Sequence, residues 1–200
     1  MRPPSELEGA VLGIIRQAGS CTAYAVRSHF LASPSPQWSG SAGAIYPLME
    51  RLERRGLIRS KAQTATRRKG RLYSLTPRGS RLLAEWLAPP LPDWVVGVPP
   101  DPLRTRVGFL GILPPAERQA FVAGALAGVE AHMRIVHSDL ERRRADRSPW
   151  ERLTARGALA MLKARRAWLR LAAREIGAAP APAPSRPRKG ASRQARDRRD

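Results

Sequence analysis

The sequence predicts a mainly α fold with a small β-wing: an N-terminal winged helix-turn-helix followed by a C-terminal helical domain. Two runs predict the first part. Ile45-Tyr46-Pro47-Leu48-Met49-Glu50-Arg51-Leu52-Glu53-Arg54-Arg55-Gly56-Leu57-Ile58 reads as a helix that stops at a glycine and turns directly into a strand. A basic, glycine-containing loop then leads to Arg71-Leu72-Tyr73-Ser74-Leu75-Thr76-Pro77-Arg78-Gly79, a second strand and a capped helix. A third observation predicts the rest. Val122, Leu126, Val129, Met133, Val136 and Leu140 alternate at steps of four and three residues, a heptad seam on one long helix.

The first helix is expected over Ser5 to Ala18, with Leu7, Val11, Ile14 and Ile15 on one face and Leu12 widening it. Ser5 and Glu8 form a capping-box pattern, and Gly19 ends the helix. A second helix runs from about Thr22 to Leu31 and is expected to bury Tyr24, Val26 and Phe30. The two prolines in Ala32-Ser33-Pro34-Ser35-Pro36-Gln37 make a loop. The third helix starts near Ser41 to Ala44, because Pro47 is tolerated only in a first turn or at a bend. Its core face is Ile45, Leu48, Met49 and Leu52, and Gly56 fits a left-handed cap. Leu57 to Lys61 and Leu72 to Leu75 read as short strands. Thr76-Pro77 opens a fourth helix that reaches about Ala88.

Residues 1–90 thus form the winged helix-turn-helix. Residues 91–100 form a proline-rich linker expected to pack through Trp94-Val95-Val96. Residues 101–176 form the helical domain: an Asp101-Pro102 start, a short apolar helix from Leu103 to Leu113, and the long helix that follows Pro114-Pro115 to about Arg144. The last helix is capped by Ser148-Pro149-Trp150-Glu151. Residues 177–200, alanine-proline and then arginine, lack apolar bulk and are expected to be disordered.

Composition narrows the function. The chain has 200 residues, 42% of them hydrophobic, and a formal net charge of +20. A protein this basic meets a polyanion. Its cations are mostly arginine, which suits phosphate and guanine recognition, although a GC-rich genome also favours arginine codons. The single cysteine, Cys21, excludes an intrachain disulfide and fits a reducing compartment. It reads as a small buried filler rather than a reactive thiol. With neither an apolar signal core nor a stretch of membrane-spanning length, the expected location is cytoplasmic and no membrane partner is expected. His29, His132 and His137 are not spaced as metal ligands, and no phosphate loop, nucleophile elbow or carboxylate pair stands out. The chain is not expected to be an enzyme, and neither a cofactor nor a metal is expected.

The default partner is double-stranded DNA. The third helix would enter the major groove N-terminus first, carrying Ser39, Ser41, Gly43 and Tyr46. Small residues there allow close approach, and the hydroxyls suit phosphate or base edges. Tyr46 points partly outward, and a core tyrosine is the alternative. The wing supplies Lys61, Arg67, Arg68, Lys69 and Arg71 around Gly70 with no acid nearby, a footprint for phosphate or minor-groove contact. Arg51, Arg54 and Arg55, interleaved with Glu50 and Glu53, read as intrahelical charge pairs. Arg142, Arg143, Arg144 and Arg147 read as solvated. The tail cations either raise nonspecific affinity or only solubilise the end.

In three stretches the chain resembles the PadR family of transcriptional regulators, in its longer form with a large helical C-terminal domain. They are Leu7-Glu8-Gly9-Ala10-Val11-Leu12-Gly13-Ile14-Ile15, Gly43-Ala44-Ile45-Tyr46-Pro47-Leu48 through Gly56-Leu57-Ile58, and Arg71 through Gly79. Ala23 stands where the family often has glycine before a tyrosine, here Tyr24. The resemblance implies a homodimeric repressor on a roughly palindromic operator. It also makes the C-terminal helices a dimerisation domain, for which the candidates are Val122, Leu126, Val129, Met133, Val136 and Leu140. The same seam could instead bury itself within its own chain. Some family members release DNA on binding a small aromatic molecule, and Trp94, Trp150 and Trp168 are candidates to line such a pocket or to be plain core. Two rival readings are a winged-helix protein-interaction module and a nonspecific architectural DNA binder.

Overall fold

A computed structural model describes residues 3–33, 35–63, 70–142 and 148–178. The expectations for Arg67, Arg68 and Lys69, for Arg143, Arg144 and Arg147, and for the tail from 179 onward lie outside the described residues. The chain divides into two units, Met1–Pro99 and Pro100–Asp200.

In the first unit, α1 (Glu6–Ala18) begins at a complete capping box: the Ser5 hydroxyl accepts from the Glu8 N–H, and the Glu8 carboxylate accepts from the Ser5 N–H. Helix α2 (Ala23–Leu31) is capped by the Thr22 hydroxyl. Two expectations change here. Tyr24 is 66% exposed rather than buried with Val26 and Phe30. A helix turns about 100° per residue, so positions 24 and 26 lie about 160° apart and cannot share a face. The expected loop through Gln37 is also cut short, because Pro36 opens a one-turn helix, α3 (Pro36–Gly40). Proline's fixed φ suits a first helical position as well as a loop.

A 3-10 turn, Ser41–Ala44, feeds α4 (Ile45–Arg54). Pro47 sits in the first turn of α4, where its missing N–H costs least. Ile45, Leu48, Met49 and Leu52 are buried at helical spacing. Gly56 takes φ 67°, a left-handed conformation that costs other residues a Cβ clash, and the chain reverses at once. Strands β1 (Ile58–Gln63) and β2 (Gly70–Leu75) pair antiparallel, Ser60 opposite Tyr73. Cys21 adds a bridge to Tyr73, its N–H donating to the Tyr73 carbonyl (3.0 Å) and its carbonyl accepting the Tyr73 N–H (2.8 Å). Burial pushes the Cys21 thiol up, so it stays protonated.

Helix α5 (Pro77–Leu87) starts at Thr76, whose hydroxyl accepts from the Gly79 N–H (3.1 Å) and donates to the Gly56 carbonyl (2.7 Å). The end of α4 and the start of α5 therefore share one side chain. The core collects Val11, Leu12, Ile15, Val26, Phe30, the buried face of α4, Leu57, Ile58, Tyr73, Leu82 and Leu83. After α5, Trp94-Val95-Val96 do not pack as expected. These residues form a helical turn, α6 (Asp93–Val96), whose apolar side chains are exposed.

In the second unit, α7 (Pro102–Val107) and a 3-10 turn (Leu110–Ile112) replace the single short helix expected from Leu103 to Leu113. Two long helices follow, α8 (Pro115–Arg142) and α9 (Pro149–Ala178). The heptad seam is covered within its own chain. Val122 and Val129 are buried in one cluster with Leu110 and Leu169, and Leu126 and Met133 pack against it. Val136 is buried as well, and Leu140 is half-buried. Within one chain the seam thus takes the second of the two covers that the sequence left open, its own last helix.

Asp101 caps α7 and ties it to α9. Its carboxylate accepts from the Leu103 N–H (2.9 Å), the Arg104 N–H (3.3 Å) and Arg165 Nη2 (2.8 Å). Burial pushes this carboxyl up, but the two amides and the guanidinium outweigh it and hold it below its ordinary 3.8. A carboxyl lowered by folding adds stability that is complete above its unfolded value and fades as pH falls through its folded one. Thermal unfolding of the wild type and Asp101→Asn is therefore expected to show a gap that is constant from about pH 7 to 5 and narrows below about pH 4.

Two glycines make opposite predictions. A Cβ on Gly79 would fall on the Leu57 carbonyl oxygen, whereas a Cβ on Gly13, inside α1, meets nothing within 4 Å. In urea unfolding, Gly79→Ala is expected to cost about 2 kcal/mol or more. Gly13→Ala is expected to add about 0.5–1 kcal/mol.

Candidate nucleic-acid interface

The exposed N-terminal end of α4 and the hairpin β1–β2 are the two parts a winged helix offers to a duplex. Gly43 is exposed on the 3-10 turn, and Tyr46 is 47% exposed at the second position of α4. Tyr46 faces away from the core for a simple reason: its neighbours Ile45, Leu48 and Met49 occupy the buried stripe. Ser39 and Ser41 are half-buried at the approach to this end. Their hydroxyls donate to carbonyls one turn back, Ser39 to Ser35 (3.2 Å) and Ser41 to Gln37 (2.8 Å). To donate to an incoming phosphate, they must exchange those bonds. Tyr24, exposed on α2 and packed near the 3-10 turn and α4 through its helix, is a residue that sequence reasoning missed. The signal was its two-residue distance from Val26.

On the hairpin, Lys61 and Arg71 are both exposed. Arg71 is already engaged: Nη2 donates to Glu53 Oε1 (3.0 Å), and its guanidinium carbon lies 5.7 Å from the centre of the Tyr73 ring. Glu53 Oε1 also accepts from the Ser60 hydroxyl (2.7 Å). One carboxylate of α4 thus holds both strands of the hairpin. Arg71 positions the wing as well as contributing charge to it.

The intrahelical pairing expected for Arg51 and Arg55 gives way to a longer-range contact. Both reach Glu8 of α1, Arg55 Nη1 at 2.9 Å and Arg51 Nε at 3.8 Å from Oε1. Glu8 is only 2% exposed. A desolvated carboxylate attracts a guanidinium more strongly than an exposed neighbour on the same helix does. Arg54 remains exposed.

This arrangement agrees with what the chain is similar to. Residues 11–85 match the transcriptional regulator PadR-like family. They are a PadR-like domain. Bacillus subtilis PadR in complex with operator DNA has the same fold, with TM-score 0.72 and 24% identity over 86% of this chain and 99% of that one. The same protein in complex with p-coumaric acid gives 0.68 and 23%, over 88% and 98%. The virulence activator AphA of Vibrio cholerae gives 0.64 and 20%, over 86% and 99%. At these identities the likeness is one of fold. No curated protein matches the sequence.

Of the tryptophans singled out, Trp94 and Trp150 are exposed, and Trp168 lines a cleft in the C-terminal unit. Trp150 and Trp168 stand on one helix about 27 Å apart, so they do not share a pocket within one chain. Among the described residues no group of three or more His, Cys, Asp or Glu is placed to hold a metal ion, and no helix is long and apolar enough to cross a membrane.

In the N-terminal unit Glu8 ties α4 to α1. Glu8→Ala is expected to lower stability by about 2 kcal/mol, because it removes a charged hydrogen bond and half of the capping box. Glu8→Gln, which keeps the cap's acceptor, is expected to cost less. Denaturant midpoints of the two variants check the order.

Proposed function

We propose that this protein is a homodimeric, sequence-specific transcriptional repressor, acting in the cytoplasm on a roughly palindromic operator. The observation that carries this reading is the pairing of an open α4 N-terminus, with Gly43 and Tyr46 exposed, and an adjoining cationic hairpin in a PadR-like domain. Helix α4 lies in the major groove with Tyr46 on a phosphate or base edge, and Ser39 and Ser41 donate to the DNA backbone. Lys61 and Arg71 of the hairpin, together with Arg67, Arg68 and Lys69 of the sequence between its strands, neutralise phosphates beside it. The bound DNA and p-coumaric acid named for Bacillus subtilis PadR support DNA and a small aromatic effector as the partner classes.

For the second copy, the available surface is on α9. Trp150, Leu153, Met161 and Leu171 are all exposed. At about 100° per residue they fall within an arc of about 80°. An apolar stripe of that kind marks an interface. Two copies joined there carry two α4 helices to successive turns of a two-fold operator.

Fluorescence anisotropy with the protein's own promoter region and with scrambled DNA, across salt concentrations, tests the reading. A preference of about a thousandfold with a steep salt slope is expected. Replacing Arg68 and Lys69 by Ala is expected to weaken both DNAs alike and to reduce the slope by about one for each phosphate that is no longer neutralised. Equal binding to both DNAs would make the protein an architectural binder. No binding at moderate salt would favour a protein-interaction module.

A further inference from the structure

The C-terminal unit is basic, although it holds neither part that a winged helix offers to DNA. Between residues 100 and 178, Lys and Arg outnumber Asp and Glu. Three of these cations hold the fold. Arg118, in the first turn of α8, is 5% exposed and donates from Nε to the Leu113 carbonyl (2.7 Å) and from Nη2 to the Gly111 carbonyl (3.2 Å). Arg165 donates to Asp101 (2.8 Å), and Arg170 to Glu130 (3.4 Å). The cations of α9 also share a pattern. Arg152, Arg156, Lys163, Arg166, Arg170 and Arg174 fall within an arc of about 80° at about 100° per residue. With a rise of about 1.5 Å per residue, they form a row about 33 Å long. Neither acid of α9, Glu151 or Glu175, lies in that arc.

Most of the row is open. Arg156, Lys163, Arg170 and Arg174 are exposed, and Arg152 and Arg166 are half-buried. Among the described residues Arg156, Lys163, Arg166 and Arg174 have no ion pair. Lys163 and Arg166 line a groove against α8 with Met133 and Leu159, and Arg134 and His137 of α8 line it too. Long cationic side chains rest their stems on such apolar surface and keep their charged ends in water. Two acids of α8 border the row. Glu130 is taken by Arg170, and Glu141 lines the neighbouring cleft with Arg152 and Arg156. They leave an excess of positive charge. Arg152 and Arg156, Arg166 and Arg170, and Arg170 and Arg174 are each four residues apart, the spacing at which like charges destabilise a helix. An anion laid along the row reverses that cost.

We propose that this face of α9 is a second DNA-binding surface, which holds the phosphate backbone of a duplex and reads no bases. Its length is close to one turn of duplex, about 34–36 Å. Its cations are mostly arginine, the better partner for phosphate. A membrane fits it less well. An anionic bilayer takes a helix by an apolar face together with its cations, and the exposed apolar stripe of α9 is centred about 140° around the helix from the row. The choice of duplex DNA among polyanions rests on the PadR-like domain of the same chain. Sequence preference plays no part in it.

The test is the salt dependence of binding to scrambled duplex DNA, read by fluorescence anisotropy on the full chain. Lys163→Gln/Arg166→Gln removes two charges from the middle of the row at positions where Gln keeps the helix. Arg16→Gln/Arg81→Gln removes two exposed charges from the N-terminal unit and controls for net charge. At an unchanged Tm, the first pair is expected to reduce the slope of log affinity against log salt by about two and to weaken binding about tenfold at low salt. The control pair is expected to change the slope by well under one. Lys163→Arg/Arg166→Lys keeps both charges and is expected to bind like the wild type. Equal losses from the two Gln pairs would reduce the effect to overall charge and overturn the proposal. An unchanged slope for Lys163→Gln/Arg166→Gln would make the row an ordinary solvated face and overturn it too. If that variant kept DNA but lost phosphatidylserine vesicles, the row would belong to a membrane. A wild type that binds no scrambled duplex at low salt also ends it. Preference for the operator is a ratio, to which a contact that reads no bases adds nothing, so this proposal and the repressor reading can each fail alone.

Discussion

The N-terminal unit hangs on one buried carboxylate. Glu8 closes the first turn of α1 and, with its other oxygen, holds Arg55 at the C-terminal end of α4. That end carries the negative pole of the helix, so the arginine is favoured there twice, by the carboxylate and by the backbone carbonyls. The apolar stripe of α4 seats the helix by close packing, and the ion pair adds a direction-sensitive contact at its C-terminal end. The charged hydrogen bond within it is 2.9 Å long. Glu53 then repeats the arrangement on the other side of α4 by gripping Ser60 and Arg71. Two carboxylates fix the helix, one toward the body of the domain and one toward the hairpin.

What the sequence could say about this followed from distance along the chain. The caps at Ser5, Thr76, Asp101 and Ser148 are complete within three residues, and each forms as its spacing predicts. Gly56 is equally local. The differences arise where a partner lies far away or where a residue has two local uses. Pro36 could end a loop or begin a helix, and only the packing of α3 decides. Arg51 and Arg55 have acidic neighbours on their own helix, and the acid that wins is more than forty residues earlier. Of the candidate interface, the exposure of Gly43, Tyr46, Lys61 and Arg71 was legible from the buried stripe and the strand alternation. The tether on Arg71 was not, because it depends on the register of the hairpin against α4. Tyr24 is a different case, since its spacing from Val26 already sets it on the opposite side of α2.

The C-terminal unit shows the same limit. A heptad pattern states that a helix must be covered and is silent about the coverer. Here α9 supplies Leu169 to the seam of α8 and turns another face, with Trp150, Leu153, Met161 and Leu171, outward. Arg118 carried no sequence signal at all. It follows a Leu-Pro-Pro turn in a helix whose other described arginines are exposed, and only the fold of the preceding 3-10 turn encloses it.

The reversal at Gly56 has a mechanical consequence. Helix α4 and strand β1 are separated by a few residues, and Thr76, Glu53 and Ser60 cross-tie the junction. No length of chain is available to adjust the hairpin once α4 is seated. Those ties set the span between α4 and the described strands. On the proposed reading, any mismatch between that span and the spacing of the grooves must be taken up by the duplex. Sequences that narrow or bend at low cost would then be preferred even at base pairs that no side chain touches.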